Sequence, residues 1–142
     1  MLDTDVMVAA LRSDRGASRQ LLLAALDKSI ELLLSVPLMV EYEAVLTRKE
    51  HLAASGLSAR EVNEILDGLV KVGVQVPLRF LWRPQLRDPA DEMVLETAVN
   101  GRAEWLVTFN ERHLGAAARR FGMRSSVPRD AWKEVQRRNE KK

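Results

Sequence analysis

Short apolar runs of strand length alternate with helical apolar patterns along the whole chain, and this alternation constrains the fold more than any other feature. Met1-Leu2 leading into Asp3-Thr4-Asp5 reads as the end of a short strand. Ile30 to Ser35, Val74 to Val76 and Glu104 to Thr108 read as further strands, and Met123 to Val127 as a last edge strand. Between them, apolar spacing predicts helices from about Val6 to Leu11 and from about Arg19 to Asp27 with Ser18 as cap. Another runs from Pro37 to about Arg48, and one extends to about Val72 behind a Ser58–Glu61 capping box. Later helices are expected from Pro89 to about Asn100, which Gly101 ends as a C-terminal turn glycine, then through Ala118, and from Pro128 to about Arg138. Lys49 to Leu57 reads as a loop, as does Leu78 to Leu86, whose Trp82 and Pro84 would pack over the core. Strands alternating with helices predict an α/β domain with a mainly parallel sheet, one unit over residues 1–142. Only two residues precede Asp3, short for a central strand, so either the strand is clipped or residues are missing before Met1.

Composition narrows the chemistry. The chain has no cysteine, which excludes disulfides, thiolate metal sites and cysteine nucleophiles. His51 and His113 are its only histidines, too few for a multi-histidine zinc site. No apolar run approaches the ~18 residues of a membrane span, so a cytoplasmic protein with no membrane partner is expected. The net charge of +2 hides an asymmetry: residues 101–142 carry 11 Lys/Arg against 5 Asp/Glu, and residues 1–100 carry 11 against 15. A basic C-terminal third permits a polyanionic partner.

Acidic residues recur where an apolar face should be unbroken. Asp88 is suited to cap the helix that Pro89 opens, and Asp91 lies in line with Leu95 and Ala98. Glu41 shares a line with Leu38 and Val45. In parallel α/β sheets, sites form beyond the carboxyl ends of strands. Asp3 and Asn110 fall at strand ends, and Asp91 and Glu41 fall near helix starts, so all four can converge on one mouth.

These pieces together resemble the PIN domain family, whose members are mostly metal-dependent ribonucleases. The carrying motifs are Leu-Asp-Thr-Asp-Val at Asp3, Val-Glu-Tyr at Glu41, Asp-Pro-Ala-Asp-Glu-Met-Val-Leu-Glu at Asp91 and Val-Thr-Phe-Asn at Asn110. They run in order from Leu2 to about Trp132, and the nearest resemblance is to the toxin components of type II toxin–antitoxin systems. The resemblance implies a three-layer α/β/α sandwich. It implies Asp3, Glu41 and Asp91 as ligands of Mg²⁺ or Mn²⁺, with Asn110 as the fourth catalytic position and Thr108 as the strand-end threonine. It also implies an RNA substrate, a cognate antitoxin protein and a homodimer. The chain departs from the family pattern at three places. Asn110 replaces a frequent Asp, Asp5 a frequent Asn, and Arg112 stands where a further acid is common; Asp5, Asp88 or Glu92 would then supply the lost charge. Oxygen-only ligands suit Mg²⁺ or Mn²⁺, and such an ion activates water for attack on a phosphodiester. Arg119, Arg120, Arg124 and Arg129 are the candidate RNA contacts, with Lys133, Arg137 and Arg138 behind them.

Two other readings fit parts of the sequence. Asp3-Thr4-Asp5-Val6 matches the start of haloacid-dehalogenase-type phosphatases, which use an aspartyl nucleophile, but no Gly-Asp pair follows. Asn110 also permits a catalytically weakened module that only binds RNA or a partner.

Overall fold

The computed structural model describes residues 1–79 and 88–140. Eight α-helices are described: α1 (Thr4–Arg12), α2 (Ala17–Leu26), α3 (Val36–Leu46), α4 (Lys49–Ser55), α5 (Ala59–Val72), α6 (Pro89–Asn100), α7 (Ala116–Arg120) and α8 (Pro128–Glu140). The strands are short: β1 (Leu33–Leu34), β2 (Val74–Gln75), β3 (Trp105–Val107) and β4 (Arg124–Ser126). All pairing is parallel. β1 pairs with β2, β3 pairs with β4, and Leu2 forms a single bridge to Val107. The α/β class and parallel strands agree with the sequence reading. In place of one broad sheet, the described residues carry two parallel pairs, with Met1–Asp3 laid beside β3 through Val107 N–H to the Met1 carbonyl and Asp3 N–H to the Val107 carbonyl, both 2.9 Å. The Trp82 and Pro84 of the expected covering loop lie outside the described residues.

Local chemistry explains most of the boundaries. Ser58 and Glu61 complete the capping box reciprocally, each bond 3.1 Å, and α5 buries Val62, Leu66 and Leu69 on one face. Asp88 caps α6 by accepting from Ala90 N–H at 2.9 Å. Ser35 caps α3 from inside the core, accepting from Leu38 N–H and pairing with the Thr97 hydroxyl of α6 at 2.7 Å. Three expectations are corrected. Ser18 does not cap α2, because the helix starts earlier, at Ala17 behind Gly16, and Ser18 is buried within it. Residues 49–55 form α4 rather than a loop: Lys, Glu, Leu and Ala are good helix formers, and Gly56 closes the helix in the left-handed region at φ 76°. Gly101 ends α6 for lack of space, not for its turn. Its φ is −85°, and an added Cβ would stand 2.8 Å from side-chain atoms of both Leu33 and Val76. The left-handed residue there is Arg102, at φ 52°.

The core joins these pieces around Asp3. Helix α1 packs on α2, α3 and α4, α3 packs on α5 and α6, and α2 packs on α5 and α8. Tyr42 is fully buried, and its hydroxyl donates to the Leu2 carbonyl, which ties α3 to the residue before Asp3.

Candidate active site

The site grows from a change of direction. The chain leaves β3's neighbour at Leu2, and Asp3 in extended geometry caps α1, accepting from Thr4 N–H at 2.7 Å. Its second carboxylate oxygen accepts from the Thr108 hydroxyl at 2.6 Å, just beyond the end of β3. Thr108, itself fully buried, accepts from Asn110 N–H at 2.9 Å, and the Asn110 amide reaches the Asp91 carboxylate at 3.5 Å. Asn110 also caps the π-helical turn Glu111–Gly115 by accepting from His113 N–H. Three segments distant in sequence are thus linked by one chain of polar contacts, from Asp3 through Thr108 and Asn110 to Asp91.

The carboxyl groups are held in a setting hostile to their charge. Burial, then the neighbouring Asp5 charge and a hydrogen bond with Asp5, push Asp3 up to about 7. Burial likewise raises Asp5, opposed by its bond with Asp3 and by the backbone of Phe109. Asp91 is pushed up to about 6, by burial first and then by the charges of Asp3 and Asp88, while His113 acts in the opposite sense. Carboxylates crowded in this way favour a proton or a cation among them. One atom points to the cation: Asp5 Oδ1 is buried with no hydrogen-bond partner. The Asp3 oxygens accept from Thr4 N–H and the Thr108 hydroxyl, and each carboxylate oxygen has two lone pairs. Hard oxygen donors with unused lone pairs suit Mg²⁺ or Mn²⁺.

The structure brings Asp3, Asp5, Asp91, Thr108 and Asn110 together. Glu41 stays on α3, half-buried between the buried Leu38 and Val45, beside Tyr42. Among the described residues no three His, Asp or Glu side chains stand close enough to hold a metal ion jointly. Asp88 is engaged as the α6 cap and is exposed, whereas Glu92 is buried in α6. Two features were missed from the sequence. His113 lies near Asp91, three residues past the capping Asn110, and Glu96 is buried one helical turn after Glu92. The i, i+4 spacing of Glu92 and Glu96 was the available signal for the second.

The candidate RNA contacts divide. Arg119 donates to the Ser125 hydroxyl at 2.8 Å and to the Glu111 carbonyl at 3.3 Å, bracing the π-helical turn against β4. Arg124 lies over the Trp105 ring at 5.4 Å, at the far end of β3 from Thr108, and Arg129 meets Asp130 at 3.6 Å. Arg120 is exposed. A cavity of about 480 Å³ also opens at the Trp105 end, lined by Met1, Leu33, Trp105 and Val135 among others, and none of Asp3, Asp5 and Asp91 borders it.

No curated protein and no solved structure matches the chain. The sequence model of the PIN domain family matches residues 1–112, from the strand end that carries Asp3 through the Thr108–Asn110 turn. The phosphatase alternative is unsupported, since the matching family is the PIN domain. PIN domains are generally nucleases that use divalent metals and act on RNA or DNA. The order of Asp3, Asp91 and Thr108 in the sequence, the linkage of all three in the fold and the span of the match lead to one conclusion: this chain belongs to the PIN domain family.

Proposed function

We propose that the protein is a Mg²⁺- or Mn²⁺-dependent endoribonuclease and the toxin of a toxin–antitoxin pair. The observation that carries the metal-nuclease part is the pairing of buried Asp3 with half-buried Asp5, whose Oδ1 is enclosed without a hydrogen-bond partner. Asp3, Asp5 and Asp91 would hold the ion, with Glu41 swinging in from α3 and Asn110 as a neutral oxygen ligand. Bound there, the ion supplies charge stabilisation for phosphodiester hydrolysis. Thr108 orients Asp3 through its hydroxyl, and Asn110 positions Asp91. We further propose the family's three-layer arrangement, a cytoplasmic setting, homodimerisation, and an antitoxin whose apolar helix face lies beside the acidic mouth with a basic side chain reaching the carboxylates.

The test is incubation of purified protein with single-stranded RNA. Cleavage in Mn²⁺ or Mg²⁺ that stops on chelation is expected, and intact RNA under all metal conditions overturns the reading. Expression alone should slow growth, and co-expression of the antitoxin should restore it; harmless expression of an active protein removes the toxin role. A weakened, binding-only module would bind RNA with no cleavage.

Two further outcomes follow. Asn110→Asp adds a carboxylate beside Asp91, so half-saturation by Mn²⁺ should move to lower concentration in a metal titration of thermal stability. Arg120→Gln should weaken RNA binding and reduce the salt slope by about one, whereas Arg119→Gln should also loosen the turn that carries Asn110. Equal slopes for parent and Arg120→Gln would leave Arg120 as solubilising surface.

A further inference from the structure

The acidic residues explain how a phosphodiester is engaged but not how a nucleotide is oriented over them. The residue between the two site anchors bears on this. Phe109 stands between Thr108, bonded to Asp3, and Asn110, bonded to Asp91. Its side chain is 51% exposed. The chain has three Phe, three Trp and one Tyr. Among those described, Tyr42 is buried and Trp105, Phe121 and Trp132 are half-buried against the core, so Phe109 is the exposed aromatic of the described residues.

An isolated exposed apolar residue is ordinary on a protein surface, so exposure alone decides nothing. Position decides more. Phe109 is one residue, ~3.8 Å of backbone, from each anchor, so its ring lies within one nucleotide's reach of a phosphate at Asp3. Its backbone is held on both sides: its N–H faces Asp5, Thr108 follows β3, and Asn110 caps the next turn. A ring on a fixed backbone beside a phosphate-engaging site has the form of a stacking platform, which accepts any base because every base presents a π-face.

We infer that Phe109 is a substrate-positioning residue that stacks on a base of single-stranded RNA flanking the bond to be cut. The inference rests on the nuclease reading above and adds the base contact. It implies an unpaired target, since a base held in a duplex has no free face.

Binding should be measured in the Asp3→Asn background with Mg²⁺ present, so that bound RNA is not cut. The probes are a fluorescein-labelled single-stranded RNA and the same backbone with abasic positions. Phe109→Ala should weaken binding of the normal RNA about five- to a hundredfold and leave the abasic RNA unchanged, while Phe109→Trp should restore or tighten binding. Circular dichroism of each variant should match the parent, as the ring carries no core packing. Phe109→Ala binding the normal RNA like the parent overturns the inference and assigns the ring to a protein partner. Equal weakening of normal and abasic RNA also overturns it, as loss of general surface. The cleavage assay separates the two readings. Cleavage by the otherwise native protein with Phe109-insensitive binding refutes only the stacking role. Base-dependent, Phe109-dependent binding by a protein that never cleaves refutes only the nuclease role.

Discussion

Asp3→Asn should abolish Mn²⁺-dependent RNA cleavage while making the metal-free protein more stable at neutral pH. Removal of one charge-stabilising group in a hydrolase typically costs about a hundred- to a thousandfold, and Asp3 joins Thr4, Thr108 and Asp5 at once. The stability effect has the opposite sign to that of a structural salt bridge. The Asp3 carboxyl ordinarily titrates near 3.8 and is held at about 7 in the fold. The folded state therefore binds more protons than the unfolded state between those values. The contribution is fully present below pH 4 and is lost as pH rises through 7. Metal-free parent protein should lose stability over that window, and Asp3→Asn should flatten the loss. Thermal melts from pH 4 to 8 in chelator, followed by the same series with Mn²⁺, read this directly. Metal should raise the parent's melting temperature more than the variant's. Equal cleavage rates for the two proteins would show that the acidic cluster is not the active site.

Tyr42 carries the second large effect. Its ring is fully buried in the core, and its hydroxyl satisfies the Leu2 carbonyl. Tyr42→Ala removes the largest fully buried side chain of the described residues, a change that costs about 3–5 kcal/mol in comparable cores. Against total stabilities of about 5–15 kcal/mol, that is a large share of the whole, and the urea midpoint should fall steeply. Tyr42→Phe keeps the volume but strands a buried carbonyl, at about 1–3 kcal/mol. Because that carbonyl belongs to the residue before Asp3, the Phe variant should also cleave more slowly at temperatures well below its melt. Urea unfolding and cleavage rates measured side by side check both. A Tyr42→Phe protein with unchanged stability and rate would mean that the α3 link does not position Asp3.

Much of the architecture was legible in the sequence because its signals were local. Ser58 with Glu61, Asp88 with Pro89, and the Thr108–Asn110 strand end each state their conformation within four residues. Gly101 was legible as a helix end, but its reason was not, since Leu33 and Val76 arrive from elsewhere in the chain. Residues 49–55 were misread because polar content resembles a loop unless helix propensity is weighed. Within the site, Asp3, Asp91 and Asn110 could be named from motif and spacing. The closeness of Asp3 and Asp5 had a sequence signal, two acids at a strand end, which marked Asp5 as a departure from the family and one of three candidates for the lost charge. Arg119 shows the limit in the other direction: a charge in a basic segment reads as a ligand contact until the Ser125 hydroxyl and the Glu111 carbonyl are seen to hold it.

The Asp3–Thr108 hydrogen bond spans 105 positions, and that separation sets the order in which the site can assemble. Contacts so distant in sequence form late, after the loop between them has closed. The polar chain from Asp3 to Asp91 therefore closes among the last steps of folding, once β3 has paired beside Met1–Asp3. A chain that stops before β3 lacks both Thr108 and Asn110 and leaves the Asp3 carboxyl without its second hydrogen bond.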